Sequence, residues 1–223
     1  MKVLVGCEFS GIVRDAFTAR GHDAISCDLL PTERPGKHYQ CDVMDILDKG
    51  WDLIIAHPPC TYLSVASACR LYPQKGVLNE ARYKQGLEAK DFFMSFYNAN
   101  CDKIAVENPV PLTIFELPQH TQQVQPYEFG HPYSKKTRLW LKGLPKLIPT
   151  EVITEGIVSW VNAGSKDHKG NPRKQIGKKS SASNRSRTFQ GIADAMADQW
   201  GSPQNKELTL DLQETNKNRQ QTL

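Results

Sequence analysis

The sequence predicts a doubly wound α/β domain with a mostly parallel central sheet and an antiparallel edge hairpin. Three observations carry this expectation. Short apolar runs alternate with helix-patterned stretches, the most apolar run ("WDLIIAHPPC") suits a strand covered on both faces, and residues capable of chemistry fall where such runs end. The chain has 223 residues, 39% of them hydrophobic and 23% charged, enough for one domain with a sizeable core. One unit over residues 1–201 is expected, followed by a polar tail over 202–223 that reads as frayed.

The elements follow in order. "KVLVGCE" reads as a first strand, and "GIVRDAFTARGH" as an amphipathic helix with Ile12, Val13, Ala16 and Phe17 on one face and Gly21 at its end. "DAISCDL" is a second strand, "YQCDVMDI" a third that carries Asp42, and "WDLIIAHPPC" the fourth. Helix formers with Tyr83, Leu87, Met94 and Tyr97 near one face predict a helix over 80–97, and "KIAVENP" gives the fifth strand. "QPYEFG" and "KTRLWLKG", separated by "HPYSK", predict the hairpin. "EVITEGIVSWV" reads as one more short strand or helix, residues 162–184 as a flexible basic loop without periodicity, and a last helix is expected from Ile192 to Trp200.

Composition excludes several classes. No apolar run approaches the ~20 residues of a membrane span, and the N-terminal run, broken by Glu8, reads as a strand and not as a signal peptide. A cytoplasmic protein of a bacterium or phage-infected cell is the expectation. The six cysteines form no CxxC pair, so reduced thiols and no metal centre are expected. Net charge is only +4, but from Lys166 to Arg187 eight basic residues face one acid, Asp167. That local excess points to a polyanionic partner.

Five predicted strands end in reactive or polar residues: "CEFSG", Asp28, the neighbourhood of Asp42, "HPPC" and "ENP". Ligands of doubly wound sheets bind beyond those carboxyl ends. A nucleoside-containing cofactor needs a tight glycine turn, as at Gly11, and a carboxylate about 20 residues later for its ribose, as at Asp28. Singly, each is more often a plain turn or cap. "PPC" followed by "ENP" is more specific, because prolines restrict the backbone before a thiol that a strand end delivers to the cleft. Taken alone, Cys60 reads as a small buried hydrophobe and Glu107 as an edge charge.

"FSG", Asp28, "CD" at Cys41 and Asp42, "HPPC", "ENP" and "KKTRLWL" resemble, in this order, the motifs of DNA cytosine-5 methyltransferases. The resemblance spans roughly residues 2–143, with a further motif in "SRTFQGIADAMA". It implies a Rossmann-like fold that binds S-adenosyl-L-methionine, and DNA as substrate. By the likeness, Cys60 would add to C6 of a flipped-out cytosine, Glu107 would contact the N3 edge and assist with a proton, Arg138 would steady the base, and C5 would take the methyl group. Asn108 would buttress the segment around Glu107. Phe9, Ser10 and Gly11 would form the cofactor turn, Asp28 and Leu29 would hold the ribose end, Asp42 and Val43 the adenine end, and Pro58 would complete the pocket. Arg138, the cofactor's sulfonium or His57 would favour the thiolate, since a free thiol with a pKa of about 8.5 is mostly protonated at neutrality. Small phage-encoded members, whose modification shields DNA from restriction, are the kin this suggests.

The chain departs from the family pattern at Val13 and Pro58, and carries Lys135 and Lys136 where an arginine is expected. The interval between Gly143 and Arg185 is too short for the domain with which such enzymes read sequence. A homodimer or a partner would then supply recognition. Phosphate contacts are expected from Lys136, Lys166, Lys169, Arg173, Lys174, Lys178, Lys179, Arg185 and Arg187, with a merely solvated loop as the plainer reading. A zinc deaminase would need PCxxC, but Leu63 stands three residues after Cys60. Two other readings stay open: a non-catalytic methyltransferase-like protein that binds nucleic acid or nucleotide, and, more remotely, an amino-group DNA methyltransferase.

Overall fold

The computed structural model describes residues 1–160 and 186–202. Of the expected basic loop (162–184) and tail (202–223), only Ser202 falls within them, and Lys166, Lys169, Arg173, Lys174, Lys178, Lys179 and Arg185 lie outside.

Nine strands and four helices make up the described chain. In order they are β1 (Lys2–Gly6), α1 (Ile12–Ala19), β2 (Asp23–Asp28), β3 (His38–Gln40), β4 (Leu53–Ala56), α2 (Ala68–Leu71), α3 (Glu80–Tyr97), β5 (Ile104–Asn108), β6 (Gln122–Val124), β7 (Tyr133–Ser134), β8 (Thr137–Lys142), β9 (Val158–Ser159) and α4 (Gln190–Gly201). Seven strands form one sheet in the order β3-β2-β1-β4-β5-β8-β6, and β7 pairs with β9 apart from it. β1 to β5 run parallel, and β8 is antiparallel to both of its neighbours. The result is a Rossmann-like α/β sheet with one reversed strand near its edge.

Alternation along the strands builds two cores. In β1, Val3 and Val5 face a layer with Val13, Phe17, Met196 and Trp200 of α1 and α4. Leu4, between them, faces the other layer with Phe93 and Phe96 of α3 and with Trp140 of β8. Phe17, Phe93, Phe96 and Trp200 are fully buried, each contributing about 2 kcal/mol or more. The buried indoles are satisfied as well: Trp140 donates to Pro118 O at 2.7 Å and Trp200 to Pro145 O at 3.0 Å.

Three expectations are corrected in detail. The hairpin strand placed at 125–130 is instead a 3₁₀ turn over Pro126–Glu128, closed by reciprocal bonds of Gln125 and Glu128, and the pairing falls earlier, on β6. Pro126 lacks the N–H that a strand would use. The third strand stops at Gln40, so Asp42 leaves the sheet and caps a second 3₁₀ turn, Val43–Asp45, through Met44 N at 3.0 Å. The last helix runs two residues earlier and one later than expected, and "EVITEGIVSWV" yields only β9.

Candidate active site

β1, β4 and β5 are neighbours in the sheet and end at one cleft. The cleft encloses about 100 Å³ of water-sized space. Cys7 to Ser10 come from the end of β1, His57 to Cys60 from β4, and Glu107 and Pro109 from β5. Lys135, in the β7–β8 turn, and residues 186–188 before α4 close the remaining sides.

The β4 segment is held on both sides of its prolines. His57 N–H bonds Gly6 O at 3.0 Å, continuing the ladder with β1, while Cys60 O accepts from Leu63 N and Ser64 N at 3.2 and 3.1 Å. Pro58 and Pro59 restrict the chain in between. Arg82 of α3 bonds Thr61 O at 2.8 Å and lies over the Tyr62 ring, 4.6 Å from its centroid. Cys60 is therefore held, half-buried, at the cleft wall.

Glu107 is nearly buried, its side chain 14% exposed, and its Oε2 lies 3.4 Å from His57 Nδ1. Burial pushes its pKa up, but the His57 hydrogen bond and the charges of Lys135 and His57 outweigh burial and hold it below the ordinary carboxylate range. At neutral pH Glu107 is thus an ionised acceptor. Its Oε1 and the Nε2 of His57 are buried without a hydrogen-bond partner, as are both amide atoms of Asn108.

At the end of β1, Glu8 is 5% exposed and accepts from Val13 N at 2.7 Å and Arg14 N at 3.2 Å, with Ser10 donating to it at 3.2 Å. This carboxylate caps α1. Gly11 precedes the helix at φ 72°, and a Cβ there would collide with the Arg14 guanidinium. Arg14 is 1% exposed and donates to Ser26, Thr32, Arg34 O and Pro35 O, tying the segment after β2 to α1. Cys7 sits at φ 56°, and its thiol is pushed far up by burial and by Asp28, Cys27 and Asp42, so the two carboxylates lie within electrostatic reach of the cleft floor.

The structure brings Phe9, Ser10, Pro58, Cys60 and Glu107 together and leaves other expected residues out. Asp28, bonded to Leu30 N at 2.9 Å, Leu29, which is 71% exposed, and Asp42 stand at adjoining strand ends. Val43 is a core residue, 4% exposed, and Gly11 serves Arg14. Arg138, expected to steady the base, pairs across the sheet with Asn108, whereas Leu139 pairs with Glu107, so Arg138 and Glu107 lie on opposite faces of the sheet. Lys135 is the cation beside Glu107, and Lys136 is exposed next to it. Arg187, expected at phosphate, instead forms a two-pronged bond to Glu33 at the cleft mouth.

Sequence reasoning passed over Glu8 and Arg14 as site-forming residues. Their signal was present as charges placed just after an apolar strand and in the first turn of the helix that follows. Among the described residues no group of three or more His, Cys, Asp or Glu is arranged to hold a metal ion, and no helix is long and apolar enough to cross a membrane.

No family model and no curated protein matches the chain. Among solved structures it is similar to one from E. coli described as a "putative DNA modification methyltransferase encoded within prophage". That match has 12% identity and a TM-score of 0.40, and covers 68% of this chain. This chain spans about half, 51%, of the matched chain's length.

Proposed function

We propose that the chain is a DNA methyltransferase that transfers a methyl group to C5 of cytosine by way of a covalent adduct with Cys60. One observation supports it above the others: a half-buried thiol fixed by two prolines shares a cleft with a buried ionised carboxylate at the ends of parallel strands. In this reading Cys60 Sγ bonds C6 of the pyrimidine, and the electron pair released into the ring makes C5 nucleophilic. After methylation, loss of the C5 proton and of the thiolate restores the ring. Glu107, entering ionised at neutral pH, accepts from the 4-amino group, and it meets N3, itself an acceptor, only once a proton lies between the two.

The residues present suit S-adenosyl-L-methionine as the methyl donor. Phe9 and Ser10 at the cleft, Asp28 and Asp42 beyond Cys7, and the exposed apolar side chains of Leu29 and Met44 offer an aromatic face, two carboxylates and apolar contacts. When bound, that group supplies an electrophilic methyl carbon next to a positive charge. Transfer of tritiated methyl groups to cytosine-containing DNA is expected for the wild type, and Cys60→Ser is expected to abolish it. Equal incorporation by the two proteins excludes Cys60 as the nucleophile.

A further inference from the structure

We propose that His57 is a positioning residue for Glu107: it occupies Oε2 and thereby makes Oε1 the acceptor that the cleft offers to an amino group on a ligand's ring. His57 is itself nearly buried, 7% exposed, and its backbone is fixed between the hydrogen bond to Gly6 O and Pro58. The imidazole therefore has little freedom to leave the carboxylate. With Glu107 ionised, the proton in the 3.4 Å contact belongs to Nδ1, a tautomer that follows from the hydrogen-bond network. Oε2 is then used, and Oε1 is a buried acceptor with nothing donating to it.

Chemistry decides what completes it. An exocyclic N–H satisfies Oε1, whereas a carbonyl oxygen in the same place sets two acceptors against each other. The cleft thus favours an amino-bearing pyrimidine over its oxo counterpart, and the preference depends on His57. The role rests on the methyl-transfer reading for its substrate class, but not for the His57–Glu107 contact. The titratable and charged groups around Glu107 are His57 and Cys60 from the end of β4, Lys135 from the β7–β8 turn, Cys7 and Glu8 from β1, and Arg187 before α4.

Two measurements on the full chain test this: carbon-13 NMR titration of Glu107, and pH-dependent binding of single-stranded oligonucleotides carrying cytosine or uracil at one position. His57→Phe removes a partner that favours the ionised carboxylate, so the Glu107 pKa rises and the acid limb of cytosine binding moves to higher pH. The preference for cytosine falls roughly ten- to hundredfold. His57→Asn, which keeps an N–H donor, retains most of that preference. Identical Glu107 titration in wild type and His57→Phe overturns the proposal. So does an unchanged cytosine preference. A shifted Glu107 with no binding of either oligonucleotide upholds the positioning role and instead counts against the pyrimidine substrate.

Discussion

The chain's thiols differ in their surroundings. Burial, with Cys41 beside it, pushes the Cys27 thiol up to about 12, and burial also raises Cys7 and Cys101. Cys69 is exposed. Limited alkylation with iodoacetamide at pH 8, read by mass spectrometry, is therefore expected to modify Cys69 early and to leave Cys7, Cys27 and Cys101 intact in the folded protein. Early labelling of Cys27 would contradict this. The placement of Cys60 and Glu107 was legible, because prolines and apolar strands state where a chain must end. Arg138 was not. A single step along β8 decides which face a side chain takes, and composition around "KKTRLWL" carries no information on that parity.

At the scale of elements, α1 and the segment after β2 are fastened by one cation. A Cβ at Gly36 would lie 2.6 Å from the Arg14 guanidinium carbon, and Gly11 leaves it room on the other side. Arg14→Met leaves the Arg34 and Pro35 carbonyls and the Ser26 and Thr32 hydroxyls short of a donor, and is expected to cost about 2–4 kcal/mol in urea unfolding. A loss below about 0.5 kcal/mol would show that water replaces the guanidinium. The boundaries of α3 were readable to the residue, since Asn79 caps it by bonding Arg82 N and the formers run unbroken to Tyr97. The β6 boundary was not, because the bonds closing the Pro126 turn involve Gln125 and Glu128, residues that strand patterning treats as neutral.

Across the whole molecule, α4 returns the chain to α1 and completes the first core. Trp200 and Met196 are buried there, and Arg20 at the end of α1 pairs with Asp194 and Asp198 on α4. The Arg20 hydrogen bond holds Asp198 below the ordinary carboxylate range, against a small effect of burial. A carboxylate whose folded pKa is depressed stabilises above its unfolded value of about 3.9 and loses that contribution as pH falls through the folded one. Thermal scans from pH 7 to pH 2 are expected to show Asp198→Asn narrowing its difference from wild type below about pH 4. A constant difference would argue against the pair. The parallel arrangement of the strands was implied by alternating elements, whereas the reversed β8 followed only from a hairpin signal. The short returning segments around β7 and β9 had no periodicity to read.

Glu8 has one more consequence. In doubly wound sheets that bind dinucleotides, the amino end of the first helix is the anchorage of a diphosphate. Here the protein's own carboxylate fills that berth and neutralises the helix end. A ligand bringing phosphate to the spot would face like charge and occupied amides. The amino end of α1 is thereby closed to a diphosphate.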